Sequence, residues 1–148
     1  MITGAAQANC GILVIDVNTT AFERGWGSWH GTTKEHASVA RALGVTQLVV
    51  AMNKMELVEY SQQRYDSILA QVKPYLLTIG FKETDITFVP ISGLLGENLT
   101  SKATEERLTS WYGTDSLCLL ELLDKMRLPQ RNFTKPLRVT ISEYFSQG

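Results

Sequence analysis

The chain has 148 residues, a net charge of −1 and a pI near 6.1. That balance excludes a broad electrostatic grip on nucleic acid, though not a local patch. Hydrophobic content of 44% and charged content of 20% are globular values, and the length suits one domain.

Cys10 and Cys118 lie far apart, with no CxxC or Cys/His companion, and read as reduced, buried thiols. Arg24 is the first basic residue, so no charged segment precedes the apolar run over 12–15, which is far too short to span a membrane. A cytoplasmic protein is expected. The sequons at Asn18, Asn98 and Asn132 are then ordinary polar loop residues.

Residues 1–8 are small and uncapped, like the tail of a helix. Residues 11–16 form a buried strand ending on Asp16. A loop over 17–31 follows, in which Gly25, Gly27 and Gly31 argue for irregular backbone. Trp26 and Trp29 in this loop are open to two readings: a partner or RNA contact, or a loop tip packed on its own domain. Thr32 and Glu35 fit a capping box for a helix that stops at Gly44. Residues 48–52 are an apolar run, the pattern of a strand buried on both faces, and they lead into Asn53-Lys54-Met55-Glu56.

Ser61 caps a longer helix whose apolar stripe is Tyr65, Ile68, Leu69, Val72, Leu76 and Ile79. Pro74 is expected to kink or split it. A third strand over 86–91 runs into Ser92-Gly93-Leu94. A short helix is expected over 104–111. A last one is capped by Asp115 or Ser116, with Leu117, Leu120, Leu123 and Met126 inward. Residues 129–136 read as a linker, and 137–142 alternate with period two, like a half-buried antiparallel strand.

Strands alternating with helices predict an α/β fold with a parallel sheet. Asp16, Asn53 and Ser92 then end three strands on one edge, where open α/β sheets bind ligands. Alone, Asn53-Lys54-Met55-Glu56 is a polar turn. With Ser92-Gly93-Leu94 at the next strand's end, it reads as a guanine site. A carboxylate accepts from both N1–H and N2–H₂ of guanine. Lys54 lays its aliphatic stem along the base. Asn53 ties neighbouring loops, and a backbone N–H from 92–94 serves the guanine O6. Glu56 stands one methylene further out than the Asp of the usual Asn-Lys-x-Asp motif.

The phosphate cradle Gly-x₄-Gly-Lys-Ser/Thr does not occur. Residues 25–30 do not complete Gly-x-Gly-x-x-Gly. His30 and His36 lack a metal-ligand set, and no Ser or Cys has an evident base, so neither metal nor catalytic residues are assigned.

Residues 1–8, Thr33-Lys34-Glu35-His36-Ala37, residues 43–50, Asn53-Lys54-Met55 and residues 88–93 together resemble the elongation factor 1-alpha family of translational GTPases. Residues 92–99, 117–121 and 128–131 are most similar to its HBS-type ribosome-rescue branch, the partners of Pelota. The resemblance covers nearly the whole chain.

It implies the second half of a P-loop-type GTPase domain over 1–128, with three mainly parallel strands and flanking helices. A linker over 129–136 and the first strand of a following β-barrel over 137–148 complete it. It implies GTP and GDP as ligands, Mg²⁺ with its ligands outside this chain, and the ribosome as partner. A Pelota-like decoding factor or aminoacyl-tRNA is the delivered partner, and no membrane is involved. By position, Asn53, Lys54, Met55 and Glu56 bind guanine, and Ser92, Gly93 and Leu94 close the base pocket.

The family's P-loop, switch I and catalytic His would precede residue 1. GTP hydrolysis is then expected of a longer parent and not of 1–148 alone. An apolar sheet edge, and a tendency to associate, are expected beside the 11–16 strand. The rival reading is a non-catalytic module that binds the ribosome or Pelota without nucleotide turnover.

Overall fold

The computed structural model describes residues 7–27 and 31–127, together with Ala5, Thr134 and Pro136. The element order is β1 (Cys10–Asp16), α1 (Thr19–Phe22), a π-helical turn (Glu23–Gly27), α2 (Thr32–Ala42) and β2 (Gln47–Asn53). A 3₁₀ turn (Met55–Val58), α3 (Gln62–Thr78), a second 3₁₀ turn (Glu83–Asp85), β3 (Ile86–Pro90), α4 (Glu106–Tyr112) and α5 (Leu119–Asp124) follow. The linker and barrel strand expected over 129–148 lie outside the described residues, except for Thr134 and Pro136. So do Trp29 and His30.

The three strands form one parallel sheet in the order β1-β2-β3. Leu48 to Met52 are all buried in the middle strand, which is why that run carries no polar alternation. One face sends Leu13, Ile15, Leu48, Val50 and Met52 against Ala37 of α2 and Tyr65, Ile68, Val72 and Leu76 of α3. The other sends Val49, Ala51 and Val89 against Leu119, Leu122, Leu123 and Met126, from α5 and just beyond it.

On β1 that second face is uncovered among the described residues: Ile12 is 45% exposed and Val14 56%. Their register partners are Val49 and Ala51, both buried. The 11–16 strand is therefore buried on one face only.

Several local expectations are corrected. The expected loop over 17–31 contains α1 and the π turn. Asn18 caps α1, its side chain accepting from Thr20 N–H at 3.1 Å. Trp26 is buried, stacked with Phe22 at 6.0 Å and edge-on to Tyr75 at 5.2 Å. It packs on its own domain.

The N-cap of α2 is Gly31, in extended backbone, and Thr32 is already helical; a Cβ at position 31 would collide with the Gly25 carbonyl, so only glycine fits there. Ser61 does cap α3, accepting from Arg64 N–H at 3.3 Å. That helix runs through Pro74 without splitting. Ala70, whose carbonyl loses its partner to Pro74, is exposed, which leaves that carbonyl open to solvent.

Glu105 caps α4. Cys118 caps α5, and its N–H donates to the Glu121 carboxylate at 2.9 Å. Leu123 and Met126 face inward as expected, joined by Leu119 and Leu122, while Leu120 is 45% exposed.

Candidate guanine-nucleotide site

The strand ends are tied at their carboxyl edge by backbone bonds. Val17 N–H donates to Asn53 O at 3.0 Å, Ile91 N–H to Met52 O at 2.9 Å, and Met55 N–H to Ile91 O at 3.2 Å. The chain segments after β1, β2 and β3 therefore meet in one place. Among the described residues, no group of three or more His, Cys, Asp or Glu is placed to hold a metal ion.

Asn53 organises the edge. Its Oδ1 accepts from Lys54 N–H and from Gly93 N–H, both at 2.8 Å. One side chain thus spans the β2 and β3 loops, as the sequence predicted. Both donors are backbone N–H groups, so the oxygen must face them and the Nδ2 is left to donate elsewhere. A Cβ on Gly93 would lie 3.2 Å from Asn53 Oδ1, so glycine there allows the close approach.

Lys54 sits in the left-handed region at φ 69°, a costly conformation for a non-glycine residue. Its Nζ reaches across to Asp16 Oδ2 at 2.6 Å. Met55 is fully buried and anchors the turn from below.

Glu56 has one carboxylate oxygen, Oε2, that is buried with no hydrogen-bond partner. An unpaired buried acceptor costs about 1–3 kcal/mol, more when charged.

Ser92 is buried, and its backbone pairs with Glu97 in both directions at 3.1 Å. Its Oγ accepts from Leu95 N–H at 3.2 Å. Of the three N–H groups over 92–94, two are thus used inside the protein. Only the Leu94 N–H is left for a ligand, and the Leu94 side chain is 82% exposed beside it. Tyr60 lies below, its hydroxyl pKa raised by burial and by the charges of Glu105, Glu97 and Glu56.

The structure therefore brings Asn53 together with Gly93, and Lys54 together with Asp16. It places Met55 and Ser92 as buried supports. Two participants carry no role in the sequence reading. The sequence places Asp16 only as a polar strand end on the expected ligand edge. Glu97 fixes the following loop, accepting from Thr104 and Glu105 N–H. The sequence signal for Asp16 is its place at a strand end on the same sheet edge as Asn53; the structure sets the two in register.

A family model of the elongation factor Tu GTP binding domain matches residues 1–130. The chain belongs to the elongation factor Tu GTP-binding domain family. It is 43% identical to Protein HBS1 of Drosophila melanogaster, over 98% of this chain and 21% of that protein. It is 41% identical to elongation factor 1-alpha of Plasmodium falciparum, over the whole chain and 32% of that protein.

Among solved structures, Sup35 complexed with GDP superposes with a TM-score of 0.73 at 34% identity. The match covers 85% of this chain and 31% of that one. This elongation factor Tu-type chain thus spans about a fifth to a third of the length of these relatives. The three parallel strands with flanking helices are the fold of that GTP-binding domain.

Proposed function

We propose that this chain supplies the base-reading part of a translational GTPase that binds GTP and GDP and acts on the ribosome. Glu56 accepts from guanine N1–H and N2–H₂, and Lys54 lays its stem along the ring. Asn53 Nδ2 and the Leu94 N–H donate to the opposite edge, and Met55, Ser92 and Gly93 hold these groups in place. The Asn53 side chain, which joins the Asn53–Glu56 turn to Gly93 at the carboxyl edge of the sheet, carries the reading.

The phosphates, Mg²⁺ and the hydrolysis of GTP belong to parts of the parent beyond these residues, since 1–148 contains no Gly-x₄-Gly-Lys-Ser/Thr. The partner delivered is a Pelota-like decoding factor or aminoacyl-tRNA, in the cytoplasm. No helix among the described residues is long and apolar enough to cross a membrane.

Calorimetric titration with GDP, ADP and xanthosine diphosphate tests the base reading. The protein is expected to prefer GDP over ADP. Glu56→Gln is expected to weaken GDP and strengthen the xanthosine nucleotide, because an amide pairs with the xanthine N1–H and O2 as the carboxylate pairs with guanine. Equal affinity for GDP and ADP overturns the reading.

The added methylene of Glu56 favours a second reading, a ribosome- or Pelota-binding module without nucleotide turnover. Sedimentation with ribosomes in the absence of any GDP binding supports that one instead.

A further inference from the structure

We infer that Asp16 is a positioning residue for the guanine site, holding the Lys54 side chain across the carboxyl edge of the sheet. The inference deepens the base-reading proposal and rests on it.

The geometry fixes both partners. Asp16 is the last residue of β1 and pairs in register with Asn53, the last residue of β2. Its carboxylate is divided between two tasks. Oδ1 accepts from Asn18 N–H at 2.9 Å, which sets the orientation of the group. Oδ2 takes the Lys54 ammonium at 2.6 Å.

Lys54 is held at its other end too. Its backbone is left-handed, and its N–H is bonded to Asn53 Oδ1. A lysine stem is normally free to sample many rotamers. Pinned at both the backbone and the ammonium, this one spans from the β2 loop to the end of β1. The base site is then bounded on the β1 side by Lys54 and Asp16, and on the β3 side by Asn53 and Gly93. A base entering it meets an apolar stem already in place, so less freedom is lost on binding.

The pair is half-exposed, with side-chain exposures of 48% for Lys54 and 27% for Asp16. Its effect is therefore modest and sensitive to salt.

The test uses the full 148-residue chain and GDP at low ionic strength. Asp16→Asn keeps an oxygen for the Asn18 N–H and removes only the charge. We expect it to weaken GDP about two- to fivefold, as for a partly exposed ion pair. The loss shrinks in 0.5 M salt.

In a Lys54→Met background, which keeps the stem and removes the ammonium, Asp16→Asn is expected to change nothing. Equal loss in both backgrounds, or tighter GDP binding by Asp16→Asn, overturns the inference and leaves the guanine reading standing. Wild-type protein that binds GDP no better than ADP overturns the guanine reading, and the inference with it.

Discussion

Asn53→Ala separates the structural work of the Asn53 side chain from its proposed contact with the base. Its Oδ1 accepts two backbone N–H groups at 2.8 Å, one on Lys54 and one on Gly93. A single hydrogen bond contributes about 0.5–1.5 kcal/mol net. Both donors are exposed, and once freed they turn to water, so the lower half of that range applies. The expected loss is about 1–2 kcal/mol for the pair. For a chain of this size, that lowers the melting temperature by about 3–6 °C.

Asn53→Asp is the matched control. A carboxylate accepts both N–H groups as well as the amide oxygen does, but it has no N–H to donate. It is expected to melt close to wild type and still lose GDP affinity. Circular-dichroism melts at two protein concentrations measure the first quantity, and calorimetric GDP titration the second. An Asn53→Ala melt within about 1 °C of wild type would refute the claim that this side chain ties the β2 and β3 loops. A melt for Asn53→Asp as low as that of Asn53→Ala would show that the acceptor is not what holds them.

Two further outcomes follow from burial. Tyr65 has its hydroxyl pKa raised by burial and then by Tyr112 and Asp66, and burial raises that of Tyr112 as well. Above a pH of about 10 the unfolded chain releases these protons and the folded one keeps them, so stability falls as pH rises through that region. Urea midpoints for Tyr65→Phe are expected to fall less steeply between pH 9 and 11; parallel decline with wild type refutes the assignment.

Ile12 and Val14 leave an apolar face on β1, and the protein is expected to self-associate through it. Replacing both with Thr, which keeps β propensity, should shift sedimentation toward monomer. A wild-type protein that is already monomeric, with a concentration-independent melt, refutes this.

Which parts of this molecule were legible in the sequence follows from the range of the interactions involved. The apolar run over 48–52 and the polar residues that end each strand are local patterns, and a parallel sheet brings those strand ends directly onto one edge. Asn53 bridging to Gly93 was likewise readable, because two strand-end motifs placed on neighbouring strands must face each other. The inward face of α5 was legible only in part. Leu123 and Met126 face inward as expected, but Leu119-Leu120-Glu121-Leu122-Leu123 offers leucines to two helix faces at once, and only docking on Val49, Ala51 and Val89 selects Leu119 and Leu122 over Leu120. The start of α2 differs by one residue: Thr32 is a favoured cap residue, but Gly31 takes the cap at a point where the Gly25 backbone leaves no room for a Cβ, and close packing of that kind is not written in the local pattern.

Glu56 shows the same division within a single residue. Its charge and position after β2 are visible in the sequence, and they suffice to suggest a guanine partner. The consequence of its extra methylene depends on how the turn over Met55–Val58 seats it. In the fold that turn leaves Oε2 buried and unpaired. A longer carboxylate that had swung out to solvent would carry no such cost. In that seat Oε2 is closed to solvent and to a ligand alike, so accepting from guanine requires the Glu56 carboxylate to turn outward, a movement that would also relieve the unpaired acceptor.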